Sequence, residues 1–139
     1  MRKLFILLMA VLLISCEKEL LESDALGENA GIVGTWTDSG YEDDLTVLER
    51  SEELDHSKYG FTIGEDGTFI ERKNAGWCGT PPITYENFEG TWEALSDSLL
   101  DITVGYWGGT MTYQMRIVSL SAEELKIRYL YTYDRESVK

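Results

Sequence analysis

The sequence predicts an all-β domain: an eight-stranded antiparallel up-and-down β-barrel. Three observations carry this expectation. Several runs alternate apolar and polar residues with a period of two, the pattern of a strand with one apolar face. Clusters of Gly, Asp and Ser separate those runs at hairpin spacing. Strong helix signals are lacking, and the only prolines, Pro81 and Pro82, share one loop. Short strands linked in series can close on themselves and leave no free edge, and a free edge invites aggregation. A two-sheet sandwich is the second arrangement, but it usually needs longer crossing connections.

The strands are expected near 31–37, 45–51, 58–63, 68–73, 84–95, 99–107, 110–120 and 124–133. The first holds Gly34-Thr35-Trp36, and an acidic stretch over 38–44 follows it. The second has the weakest alternation, and 45–54 would also suit a helix. Tyr59, Phe61 and Ile63 mark one face of the third; Glu65-Asp66-Gly67 turns the chain into the fourth. The fifth repeats Gly-Thr-Trp at 90–92 and ends at Ser96-Asp97-Ser98. Leu100, Ile102, Val104 and Tyr106 alternate along the sixth, and Gly108-Gly109 suits a tight hairpin because both tolerate positive φ. Met111, Tyr113, Met115 and Ile117 line the seventh; Ser121-Ala122-Glu123 turns into the eighth, with Leu125, Ile127, Tyr129 and Tyr131 on one face.

The N-terminal region reads differently. Arg2 and Lys3 precede an unbroken apolar run over 4–14. As a helix that run reaches about 16 Å, too short for a hydrocarbon core of about 30 Å. Residues 1–15 therefore read as a signal peptide. Leu13-Ile14-Ser15-Cys16 resembles a bacterial lipobox, which implies cleavage before Cys16 and a diacylglyceryl thioether on it. A single acyl chain anchors marginally and two or three anchor firmly. Residues 16–30 are then a lipidated cysteine and a flexible acidic tether, and 31–139 the folded domain. Lys18-Glu19 resembles the acidic export tag of Bacteroidota-type surface lipoproteins. The expected location is the bacterial outer membrane, periplasm-facing or at the cell surface.

Without Arg2 and Lys3 the chain carries 10 basic against 25 acidic residues, a net charge of −15. Such a surface repels phosphate backbones, so nucleic acid is not an expected partner. With Cys16 acylated, Cys78 has no partner for an intramolecular disulfide.

The order IVGTW, YGFTIGEDGTF, FEGTW, IVSLSAEELKIRY is similar to the lipocalin-like domain of many bacterial lipoproteins, over most of residues 31–131. The resemblance implies an up-and-down barrel and a small hydrophobic ligand, with Phe61, Trp92, Tyr113, Met115, Tyr129 and Tyr131 as wall residues. It also offers Arg128 as the arginine lying over the first tryptophan. Lipocalins proper are longer and carry a helix after the last strand, where only residues 134–139 remain here. The other reading is a structural or protein-interaction module of the envelope, with a filled barrel and an exposed aromatic patch around Trp107 or Tyr41.

In a strict series, alternate connections lie at opposite ends. The loops near 52–57, 74–83 and 108–109 then share one mouth with His56, Trp77, Cys78, Pro81, Pro82 and Trp107. By the lipocalin analogy that mouth is the closed one. The loop GWCGTPPI is expected there as a plug or a lid, with Trp77 and Cys78 turned inward as a plug. A thiolate–imidazole pair of Cys78 and His56 lacks an orienting residue, so no enzyme is expected. One histidine and one cysteine fall short of a metal's ligand set, and Glu42-Asp43-Asp44 lacks calcium-loop spacing. No cofactor or metal is expected.

Overall fold

The computed structural model describes residues 31–131. Residues 1–30, on which the expected leader, lipidated Cys16 and tether fall, lie outside the described residues, as do residues 132–139. The described chain forms eight strands: β1 Gly34–Glu42, β2 Leu45–Ser51, β3 Gly60–Ile63, β4 Thr68–Asn74, β5 Tyr85–Ser96, β6 Leu99–Tyr106, β7 Gly109–Leu120 and β8 Glu124–Leu130. Every pairing is antiparallel, and the sheet closes into a barrel. β2 is a strand, not a helix, because Thr46 and Leu48 alternate inward between β1 and β8.

One link departs from a strict series. The strand order around the barrel is β1-β2-β8-β7-β6-β5-β4-β3, so β1 sits between β2 and β3. Residues 52–59 therefore pass over the outside of β1 instead of making a hairpin. Asp38 N donates to Tyr59 O at 2.9 Å, and an Arg72 guanidinium nitrogen donates to His56 O at 3.3 Å, which ties this link down.

The crossover changes which loops meet. β2 and β3 both run antiparallel to β1, so the hairpin parity expected from a series inverts from β3 onward. The start of β1 lies at one end with the turns after β3, β5 and β7. The turn after β1, the β4–β5 loop and the Trp107-Gly108 turn lie at the other. GWCGTPPI is thus at the end opposite Gly34-Thr35-Trp36, which corrects the sequence expectation.

The end holding Gly34 is closed. Trp36 is fully buried, and its indole N–H donates to Ile32 O at 2.8 Å. Arg50 is the register partner of Trp36 and lies over its ring, 4.2 Å from the centroid. The same guanidinium donates to the carbonyls of Gly31 (2.5 Å), Val33 (3.0 Å) and Ala122 (2.6 Å). Gly34 has φ of 131°, and a Cβ there would sit 2.5 Å from an Arg50 nitrogen, which accounts for the first glycine. The arginine over the first tryptophan is therefore Arg50. Arg128 runs out to the far end of β8, where it pairs with Asp44 at 2.6 Å. The second Gly-Thr-Trp has a parallel logic. A Cβ on Gly90 would meet Thr103 O at 2.2 Å, so glycine lets β5 approach β6; the Trp92 indole N–H donates to Gly64 O at 2.8 Å.

The core fills the barrel between Trp36 and its middle, with Leu48, Phe61, Ile63, Phe69, Leu100, Ile102, Met115, Leu125 and Ile127 all at zero exposure. Each such side chain contributes about 1.5–3 kcal/mol by burial.

Candidate functional site

Above this core the inward positions change character. β4 reads Phe69, Glu71, Lys73 along its inner face, so an apolar side chain gives way to a carboxylate and then an ammonium. β7 and β8 supply Met111, Tyr113 and Tyr129 at the same level, and Tyr59, just before β3, adds a fourth strand's contribution. Aromatic rings are too rigid to collapse into the space between them. The result is a partly open cavity of about 290 Å³, whose lining is completed by Tyr41, Thr46 and Tyr131.

Glu71 organises its floor. The residue is only 4 % exposed. Its Oε1 accepts hydrogen bonds from Tyr59 (2.8 Å) and Tyr113 (3.0 Å), and its Oε2 accepts from Lys73 Nζ at 2.6 Å. The hydroxyls of Tyr59 and Tyr129 also hydrogen-bond to each other. The rings of Tyr113, Tyr129 and Tyr131 pack mutually at centroid distances of 5.5, 5.9 and 6.2 Å. Burial, reinforced by neighbouring Tyr129 and Glu71, pushes the Tyr59 hydroxyl well above its ordinary pKa. Burial and then Glu71 do the same for Tyr113 and Tyr129. Tyr59, Tyr113 and Tyr129 are therefore neutral at any physiological pH.

Of the residues expected to line a ligand site, Tyr113, Tyr129 and Tyr131 meet in this cavity. Phe61 and Met115 lie below it in the solid core. Trp92 is engaged near the closed end through Gly64 and Gly67. Sequence reasoning missed Glu71 and Lys73. The signal was present in the inner-face alternation Phe69–Glu71–Lys73, but charged residues are rarely expected to point into a barrel.

The β4–β5 loop is not a plug. Trp77 is 79 % exposed and Cys78 is exposed. Pro81 and Pro82 are exposed with them. The Asn74 side chain holds the loop outward, donating to Cys78 O at 2.8 Å and accepting from Gly76 N at 3.1 Å. Hydrogen bonds from the Thr80 hydroxyl and then its backbone N–H hold the thiol below its ordinary pKa. His56 stands on the β2–β3 link with its side chain 92 % exposed beside Asp55, and among the described residues no hydrogen bond joins it to Cys78.

The acidic triplet has a structural use. Glu42 pairs with Lys126, and Asp44 with Arg128, so the β1–β2 turn is clipped onto β8. The Arg128 hydrogen bond lowers the Asp44 pKa, and the Glu42 hydrogen bond raises that of Lys126. A larger groove of about 530 Å³ lies outside the barrel beneath the β2–β3 link. Leu54 is its one large apolar side chain, among charges of both signs, so it offers a guest little apolar surface. Among the described residues no group of three or more His, Cys, Asp or Glu side chains is placed to hold a metal ion.

The fold and the site together define a closed eight-stranded antiparallel β-barrel with a tyrosine-walled cavity at one end. No family model, curated protein or solved structure matches the chain.

Proposed function

We propose that the protein is a lipid-anchored envelope lipoprotein, lipocalin-like in design, whose barrel binds a small ligand with a hydrophobic body. The observation that carries the binding half is the partly open cavity of about 290 Å³ among Tyr59, Tyr113, Tyr129 and Tyr131. Small-molecule sites are concave, largely apolar and aromatic, with a few placed polar groups. This cavity lies just under their usual size range of about 300–1,000 Å³. The reading of the leader supports the anchoring half. The described chain begins at the closed end, beside Arg50 and opposite the cavity.

Two experiments test the halves separately. Titration of naphthylmethanol into protein with carbon-13-labelled tyrosine rings should shift Tyr113, Tyr129 and Tyr131 saturably. An unmoved tyrosine spectrum rejects ligand binding by this cavity. Replacement Cys16→Ala should move the protein from the membrane fraction to the soluble fraction, and unchanged membrane association rejects the acyl anchor.

A second reading, an envelope interaction module, draws on the exposed aromatics at the cavity end: Tyr41 at 78 %, Trp77 at 79 % and Trp107 at 56 %. It requires that replacement of Trp77 and Trp107 by serine abolish co-purification of an envelope protein while leaving probe binding intact.

A further inference from the structure

The polar inventory around Glu71, on the cavity floor, is lopsided. Tyr59 and Tyr113 each give their hydroxyl proton to Glu71. A phenol has one proton, so Tyr129 must be the donor in its bond with Tyr59. Three phenolic protons are thereby spent inside the network, and what those hydroxyls have left is lone pairs. Glu71 accepts three hydrogen bonds, one of them from a cation, so its charge is already matched.

The same ion pair matches the charge of Lys73 but not all of its donors. An ammonium has three N–H donors and no acceptor. Among the described residues one N–H goes to Glu71, and its other hydrogen-bond contact is the Met111 thioether at 4.0 Å, a weak acceptor. The ammonium lies over the Phe88 ring at 5.4 Å, and its side chain is 18 % exposed. Lys73 is the one cationic group among the residues lining the cavity.

We propose that the cavity selects small aromatic carboxylates, whose carboxylate takes the open N–H groups of Lys73 while the ring lies among Tyr113, Tyr129 and Tyr131. This rests on the ligand-binding reading above and narrows it to a chemical class. The volume corresponds to roughly ten waters of liquid, at about 30 Å³ each. That admits a ring system of naphthalene size. The chain's net charge of −13 opposes an incoming anion. That repulsion is screened beyond about 8–10 Å at physiological salt, whereas a contact ion pair in a part-buried mouth is screened much less. Selectivity therefore resides in slow dissociation more than in fast encounter. An amine guest would instead have to displace Lys73 from Glu71 before using the tyrosine faces.

Calorimetric titration of the purified chain with naphthoate, naphthylmethanol and naphthylmethylammonium decides the matter. Naphthoate is expected to bind at least about tenfold more tightly than the alcohol, which is about 1.4 kcal/mol, and the ammonium most weakly. Lys73→Met should erase the preference for naphthoate over the alcohol, and Lys73→Arg should keep it. Equal affinities for acid and alcohol in the unaltered protein, or tightest binding of the ammonium, overturn the carboxylate assignment and leave the cavity reading standing. Failure of all three probes to bind overturns both. The unaltered protein and Lys73→Arg suffice for the decision if Lys73→Met does not fold.

Discussion

Glu71 is a carboxylate nearly sealed inside a barrel, and such a group persists only when its charge and lone pairs are matched. Tyr59, Tyr113 and Lys73 do the matching. Hydrogen bonds to charged groups contribute about 1.5–3 kcal/mol each. Tyr59→Phe should therefore lower the unfolding free energy in urea by roughly that amount, and a loss below about 0.5 kcal/mol would contradict the network. The enclosed phenols also set an alkaline limit. In the unfolded chain tyrosine ionises near pH 10, whereas Tyr59, Tyr113 and Tyr129 keep their protons to higher pH when folded. Above about pH 10 the native state then binds more protons than the unfolded state, so their contribution is complete below that pH and falls as pH rises through the folded titration. Urea midpoints measured across alkaline pH should decline together with cooperative appearance of phenolate absorbance. Early phenolate absorbance from all tyrosines, with the fold intact, would speak against burial.

Among the elements, β1 and β2 carry the closure of the barrel. Arg50 joins three carbonyls on two separate stretches of chain and covers Trp36. Arg50→Ala is expected to cost about 1–2 kcal/mol and to raise amide exchange at Gly31, Val33 and Ala122, whereas an unchanged exchange pattern would show the clamp to be incidental. On β5, Gly90→Ala forces a methyl against the Thr103 carbonyl. Overpacking of this kind costs about 1–3 kcal/mol or more, to be read as a drop in urea midpoint; a neutral result would mean β5 and β6 do not approach closely there. The strands themselves were legible because alternation is a local property: Leu100, Ile102 and Val104, or Leu125 and Ile127, announce their inner face without reference to any neighbour. What was not legible was the crossover of residues 52–59 outside β1. Strand order depends on which edges pair, and β2 shows only Thr46 and Leu48 as clearly inward residues, too little to specify its partner. That single link reversed the expected ends, and with them the roles given to Arg128, Trp77 and Cys78.

At the scale of the whole molecule, the barrel is two unlike halves. The half near Trp36 is packed with aliphatic and aromatic side chains and supplies stability; the half near Lys73 trades packing for a cavity with polar groups on its floor. Sequence alternation located Tyr113, Tyr129 and Tyr131 on the inner face, but alternation carries no information on height along the barrel. Phe61 and Met115 therefore looked equivalent to them, although they lie in the solid half. The central claim is that the open half is a binding cavity and not a gap left by poor packing. Intermolecular nuclear Overhauser contacts from bound naphthoate test it most directly. Contacts to the rings of Tyr113 and Tyr129 are expected, with none to Trp36 or Trp92. Contacts confined to Trp77 and Trp107 on the outer rim, or none to any aromatic ring, would contradict it.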